Sequence, residues 1–351
     1  MGNARVATAD IATAPFANPG MLSFQPSRED FSLLIGAGAF LDDSDGLVGK
    51  IDDFQDAYNN GQAGDPAEAL RAIDIAQSMI GDVIAPETTL ALSTGFSGDK
   101  WAFALSARAD AIAAGTVLTG NAIDPNAYDL VIEGVLTTEL GASLATNFQV
   151  FGRKLAIGIK PKYVTVDNAF ISESITTVDT GFGDLLDEQN TLDLGDFTTL
   201  DLGLVLGLTK HTQIGLVATN LVSHKINFIN SLGVPETLSF DTQARLGIAY
   251  RTNILTLGAD VDLIENDALL TTQDFQALKT QNISLGGEFN LFDFMQLRVG
   301  AQKNIADDIS DAAKDPMYTA GIGFWLGFNL DLAVVARNDA LGGFLQTGFR
   351  F

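Results

Sequence analysis

Residues able to do covalent chemistry are few in this chain. It has two histidines and no cysteine, against 44 acidic and 20 basic residues. Without cysteine there is no disulfide framework, thiolate metal site or thiol nucleophile. His211 sits in a Lys-His-Thr turn and His224 in another loop, an arrangement that suits neither a zinc site nor a Ser-His-Asp triad. No Gly-X-Ser-X-Gly elbow occurs either. The carboxylates could hold calcium, but no EF-hand-like loop is present. The expectation is a non-enzyme with no catalytic residues, no metal and no cofactor. A net charge of −24 repels nucleic acid, whose phosphates need basic neutralisation.

The remaining charges follow a pattern. Arg108, Lys160, Lys162, Arg245, Arg298, Arg337 and Arg350, with Glu133, Glu139, Asp201, Asp241, Asp260, Asp262, Glu288 and Asp331, fall at alternate positions in otherwise apolar stretches. They share one face of extended segments, and their signs nearly balance. A selective charged pore shows one dominant sign. These residues therefore read as a ladder of paired charges inside a lumen, not as the lining of a small-solute porin.

The elements that must carry such a ladder are strands of about ten residues with period-two alternation. In 295–302, Met295, Leu297, Val299 and Ala301 alternate with Gln296, Arg298, Gly300 and Gln302. Candidate strands fall at 30–41, 86–96, 101–111, 128–146, 154–170, 197–208, 213–222, 238–250, 254–264, 281–289, 295–304, 316–326, 329–338 and 343–351. Short connections (97–100, 147–153, 209–212, 251–253, 290–294, 327–328) alternate with longer ones (42–85, 112–127, 171–196, 223–237, 265–280, 305–315, 339–342). Short turns alternating with longer loops are the pattern of a membrane barrel. The chain ends Gly343-Phe344-Leu345-Gln346-Thr347-Gly348-Phe349-Arg350-Phe351, alternating and closed by an aromatic. This resembles the terminal strand that the barrel-assembly machinery reads in outer-membrane proteins. In hydrocarbon every backbone group must bond internally, so a sheet must close. The fold predicted is all-β: a transmembrane antiparallel barrel of about 14 strands. Trp101, Phe103, Tyr250, Phe289, Phe294, Phe324 and Phe328 lie near strand ends and would form an interfacial girdle.

Two segments break the strand pattern. In 42–85, Leu47, Ile51, Phe54 and Tyr58 fall near helical spacing. Asp65-Pro66-Ala67-Glu68 then reads as an N-cap with a capping box, leading into an apolar stripe of Leu70, Ile73 and Ile80. A helical extracellular insertion lying over one mouth is expected. Its acids, and those of 171–196, could bridge to lipopolysaccharide through divalent cations. Residues 1–29 are small, apolar and nearly uncharged, which suits burial inside a lumen. No apolar leader follows Met1, so an exported protein would begin here at a mature or trimmed end.

Within that first segment, Gly2-Asn3-Ala4, Val6-Ala7-Thr8-Ala9-Asp10 and Ala14-Pro15-Phe16-Ala17-Asn18-Pro19-Gly20-Met21-Leu22 resemble the N-terminal hatch of the FadL-type hydrophobic-compound transporters. Within that superfamily the likeness is to the TraF-like conjugal transfer branch. Gly20 stands where Ala usually follows Asn-Pro. The resemblance implies a division into a hatch (1–29) and a barrel (30–351). It also implies a ligand path past Asn3, Asp10, Phe16, Asn18 and Pro19, and release by movement of the hatch or through a gap in the barrel wall. Asn18 would bond the backbone at a turn that Pro19 fixes. Pro161, a proline inside a strand, marks the candidate wall kink. The function implied is passive uptake of a fatty acid, alkane or aromatic across the bacterial outer membrane. The partners implied are a hydrophobic molecule, outer-membrane lipid and lipopolysaccharide, and the assembly machinery through Phe351. The alternative left open is a structural or interaction protein of the cell surface, in conjugation or adhesion, with a plugged lumen.

Overall fold

Alternation gives each strand one apolar face, and a sheet of such strands buries its backbone only by closing. The computed structural model describes residues 1–24, 30–178, 191–230, 233, 235–266, 279–292, 294–307, 309, 314–338 and 340–350. Its strands are β1 (Phe31–Asp42), β2 (Val83–Ser97), β3 (Trp101–Thr119), β4 (Tyr128–Val150), β5 (Arg153–Ser174), β6 (Thr191–Gly207), β7 (Thr212–Thr219), β8 (His224–Ile229), β9 (Pro235–Phe240) and β10 (Gln243–Arg251). They continue with β11 (Leu255–Asp262), β12 (Asn282–Leu291), β13 (Met295–Asn304), β14 (Met317–Trp325), β15 (Asn329–Arg337) and β16 (Ala340–Arg350). Fourteen of them close an antiparallel barrel; β8 and β9 pair only with each other. The seam is β1 against β16, from Ser32↔Arg350 to Leu41↔Leu341. Phe351 lies outside the described residues.

The outer face carries the exposed apolar side chains, among them Leu92, Leu105, Leu140, Leu285, Val299 and Val334. Trp101, Phe103, Tyr250, Phe289, Phe294 and Phe328 are also exposed beside the short turns, while Phe324 is half-buried. This is the surface of a membrane-embedded barrel with an aromatic girdle. Strands β3, β4 and β5 run to 19, 23 and 22 residues. About ten suffice to cross the hydrocarbon, so these three stand well above it on the long-connection side.

The sequence reading needs four corrections. The candidate strand 238–250 is two strands, β9 and β10, broken at Asp241-Thr242. Thr242 donates to Asn220 O there (2.8 Å), and β10 pairs with β7 across the excursion. The 223–237 connection is therefore not a plain loop. It starts a hairpin whose Ile226 and Leu238 pack on Val135, Val164, Val166 and Phe197. The register places those wall residues on the same face as Lys160 and Glu139, which is the lumen side.

The other three corrections concern the insertion, where α2 (Leu47–Gln62) and α3 (Pro66–Ser78) form as expected. They pack on Ile84, Val117, Tyr128 and Leu130. Strand alternation places these on the face shared with Leu92, Leu105 and Leu140, so the helices lie on the outside of the raised wall and not over the mouth. Asp65 caps Ala67 N and Glu68 N (2.9 and 3.4 Å), but Glu68 turns to Arg71 and closes no capping box. Leu70 and Ile80 are exposed, and α3 buries Ala72 and Ala76, followed by Met79. Small residues let two helices approach closely, and that close approach decides the stripe. Phe54→Ala is expected to cost the insertion about 3–5 kcal/mol. Hydrogen exchange should rise in 47–79 while the barrel strands keep their protection.

Candidate functional site

Residues 1–24 form little regular structure, and turns within the segment satisfy only part of their backbone groups, so the rest need partners from outside it. A single helical turn, α1 (Ala14–Ala17), leads into a 3₁₀ turn over Pro19–Ser23. The inner face of the barrel supplies the partners. Asp260 accepts from Arg5 N and Val6 N (2.6 and 2.9 Å). Gln213 donates to Ala7 O, Arg251 to Thr8 O and Ser93 to Ala12 O. Lys160 Nζ donates to Pro15 O (2.8 Å). Ser97 and Asn147 donate to Leu22 O and Ser23 O near the short turns. The segment therefore crosses the barrel and seats its last residues at the short-turn end.

Close approach needs a wall without side chains. A Cβ on Gly158 would lie 2.3 Å from the Pro19 carbonyl carbon, one on Gly203 2.0 Å from Asn18 Oδ1, and one on Gly300 2.1 Å from Gly2 N. Between the glycines, Ala102, Ala104, Ala145 and Ala156 receive Ile11, Met21 and Leu22. Single-sequence alternation marks these wall positions only as "small". What they accommodate is visible once the segment is in place.

The sequence-derived residues fall into two groups. Asn3 (φ 62°) occupies the left-handed region, which asparagine tolerates. Asp10 accepts from Thr13 N (2.9 Å) and the Thr13 hydroxyl (2.6 Å) and pairs with Arg350 (3.2 Å). Burial raises its pKa, but Arg350 and Thr13 outweigh that and hold the carboxyl below the usual range. Phe16 lies beneath Lys160 Nζ, 5.6 Å from the ring centre. Asn18 is fully buried. Its Nδ2 donates to Val6 O and Leu204 O (3.0 and 3.2 Å), and its Oδ1 accepts from Gly20 N (3.0 Å). Pro19 opens the 3₁₀ turn beside it.

The wall charges pair around this segment. Lys160 pairs with Glu139; Lys162 pairs with Glu139 (3.0 Å) and Asp201 (3.1 Å). Arg245 pairs with Asp262 (2.5 Å), and Arg298 with Glu288 (2.8 Å) and Asp331. Arg108, Arg337 and Arg350 find Asp110, Asp42 and Asp10; Asp110 shares the face of Arg108 by alternation, while Asp42 and Asp10 lie outside the candidate strands. Glu133 has no cationic partner among the described residues and sits instead beside the β8–β9 hairpin.

Phe16 and Pro19 join Arg5, Arg108, Glu139 and Lys160 around a polar cavity of about 210 Å³. A second, of about 130 Å³, continues past Asn3, Arg245 and Asp262. Arg5, which lines both, has no ion-pair partner among the described residues. Arg298, Glu288 and Arg337 lie away from these cavities.

Behind Lys160 and Lys162 stands Pro161. The β4–β5 register runs to Leu144↔Ile159 and resumes at Gly141↔Lys162, with no paired residues between. Proline has no N–H to give the ladder. The β5–β6 ladder on the other side continues through Pro161↔Leu200. The outer surface at this level holds an open apolar depression of about 750 Å³, whose lining includes Leu92, Leu105, Leu140, Pro161 and Tyr163. An ionic cavity inside and an apolar hollow outside thus face each other across the unpaired stretch.

A family model described as "F plasmid transfer operon, TraF, protein" matches residues 15–262. No curated protein matches the chain in sequence. Among solved structures, the toluene transporter TbuX of Ralstonia pickettii aligns with a TM-score of 0.57 at 13% identity, over 100% of this chain and 96% of that one. A FadL homologue of Pseudomonas aeruginosa gives 0.54 at 12% identity, over 99% and 95%. The toluene transporter TodX of Pseudomonas putida gives 0.51 at 13% identity, over 99% of both chains. At such identities the likeness establishes the fold, a FadL-type barrel. The family model covers more than half the chain, and the chain belongs to the TraF family of the F plasmid transfer operon.

Proposed function

We propose that this protein is an outer-membrane channel for the passive uptake of hydrophobic small molecules, with residues 1–29 as its plug and the break at Pro161 as its exit. The observation that carries this reading is the interrupted β4–β5 ladder between the ionic cavity and the apolar outer depression. The structural likeness to transporters described for toluene and to a FadL homologue supports it. The charged lining favours a ligand with a polar head, so a fatty acid suits the cavity better than an alkane. Its head would rest near Arg5 and Lys162 while its tail leaves sideways into the bilayer. Of the other partners, lipopolysaccharide would meet the acidic loops through divalent cations, and the assembly machinery would read the terminal strand.

The test is uptake by vesicles containing the purified protein. Wild type should admit a long-chain fatty acid faster than protein-free vesicles do. Pro161→Ala, which restores an N–H to the ladder, should slow that uptake several-fold. It should also stabilise the barrel by about 0.5–1.5 kcal/mol. Equal rates with and without protein would sink the channel reading.

A second reading, a cell-surface interaction protein of conjugation with a permanently plugged lumen, draws on two observations. The wall charges around the N-terminal segment are mutually paired, and the family description names a plasmid transfer operon. A deletion strain that loses plasmid transfer while vesicle uptake stays absent would favour it.

A further inference from the structure

The β8–β9 hairpin lies against the lumen side of the raised wall with alternate residues facing it. On this face Ile226 and Leu238 make the apolar contact, while Lys225 is exposed on the other. At the tip the same face turns polar, with Asn230 and Glu236. Both are buried, 5% and 4% exposed, against Glu133 (2%) of β4 and Asn168 (2%) of β5.

Asn230 Nδ2 donates to Glu236 Oε1 (2.6 Å) and to Glu133 Oε2 (3.3 Å). Asn168 Nδ2 donates to Glu133 Oε1 (3.2 Å) and to Gly134 O (3.1 Å). The two carboxylates thus face each other across one amide. Glu236 Oε2 is buried with no hydrogen-bond partner, and no lysine or arginine pairs with either acid among the described residues. Two buried like charges without a counter-ion are costly. Burial and the facing Glu133 carboxylate push Glu236 up to about 7, against the Asn230 bond that draws it down.

We propose that Glu133 and Glu236, with the amide oxygens of Asn168 and Asn230, form a calcium site that pins the hairpin inside the lumen. The donor set is all oxygen, as calcium prefers, once half-turns of the two amides exchange their NH2 groups for oxygens; the turn of Asn168 gives up its bond to the Gly134 carbonyl. Two carboxylates supply the charge to neutralise one divalent ion. A single proton would relieve the repulsion but could bridge only two of these oxygens, whereas calcium takes about six to eight. The site joins the hairpin to two different strands, so its occupancy sets how tightly the excursion holds to the wall. This is independent of whether the barrel carries a solute.

The test is hydrogen exchange over 224–240 in the full chain, in detergent at about pH 8, where Glu236 ionises. EDTA-stripped protein is compared with protein given about 1 mM calcium chloride, within the range of extracellular sites. Calcium should slow exchange in the hairpin about tenfold or more in wild type. Glu236→Gln should be protected without calcium and insensitive to it, because the repulsion is gone. Glu133→Gln should likewise lose the calcium response, and it serves if the first variant fails to assemble. An equal calcium response in both variants would assign the effect to the acidic loops and overturn the site. Wild-type protection that follows acidification from about pH 8 to 5, corrected for intrinsic exchange, with no response to calcium, would overturn it in favour of a proton.

Discussion

Gly158→Leu will lift the N-terminal segment off the barrel wall and raise the conductance of the barrel. The Cβ alone would lie 2.3 Å from the carbonyl carbon of Pro19 and 2.5 Å from Gly20 N. Backbone cannot swing aside as the tip of a side chain can. The next strand offers no room either, because Gly20 already lies close against Gly203. The segment has to leave its seat, carrying the Asn18 and Lys160 contacts with it. The barrel itself should tolerate the change: leucine suits a strand better than glycine, and the register on both sides of Gly158 is regular. Planar-bilayer recordings should show larger and more frequent conductance steps than wild type. Protease should reach residues 1–24 while heat-modifiable mobility of the barrel stays normal. A variant as closed as wild type would mean that the segment does not block the lumen.

Asn18→Ala should have the next largest effect, confined to the same segment. One side chain there serves three backbone groups: Val6 O, Leu204 O and Gly20 N. Alanine leaves Val6 O and Gly20 N buried without that partner and removes the tie to Leu204 O on the wall. An unsatisfied buried group costs about 1–3 kcal/mol, and some recovery through relaxation leaves a net loss of about 2–5 kcal/mol in seating the segment. Exchange of the amides at 4–22 should approach that of a free chain, with the barrel strands unchanged. Asn18→Asp keeps the acceptor for Gly20 N but turns a carboxylate oxygen towards the Val6 and Leu204 carbonyls in a fully buried position, so it should seat the segment no better than alanine. If alanine is as protected as wild type, Val6 and Gly20 have other partners and the asparagine is not the clasp.

Asn18 stands out in the sequence beside Pro19, whereas the wall position of the first prediction looks unremarkable there. Gly158 and Gly203 read as the small members of alternating strands, and nothing in Ala-Ile-Gly-Ile or Leu-Gly-Leu says that a backbone passes there. The charges were more legible. Period two put Lys160, Lys162, Glu139 and Asp201 on one face, and the register brought them into contact. The apolar pocket that hydrophobic uptake would lead one to expect beside the plug is instead a small ionic cavity. That shifts the ligand class towards molecules with a polar head.

What the sequence determined by itself is whatever depends on periodicity along the chain: the strands, the alternation of short and long connections, the closed antiparallel barrel and the identity of the helices at 47–62 and 66–78. These follow from local rules, since a period of two or 3.6 decides which residues share a face wherever the segment ends up. Only the tertiary structure decided which of those faces meet. It split 238–250, because Thr242 and the pairing of β10 with β7 draw the chain back to the wall while β8 and β9 turn into the lumen. It set the helices outside the raised wall, where Tyr128 and Leu130 offered an apolar surface. It brought Glu133 and Glu236 together across a single amide. Each is a contact between segments far apart in the chain, fixed by packing and hydrogen-bond satisfaction in three dimensions, and no local pattern encodes it.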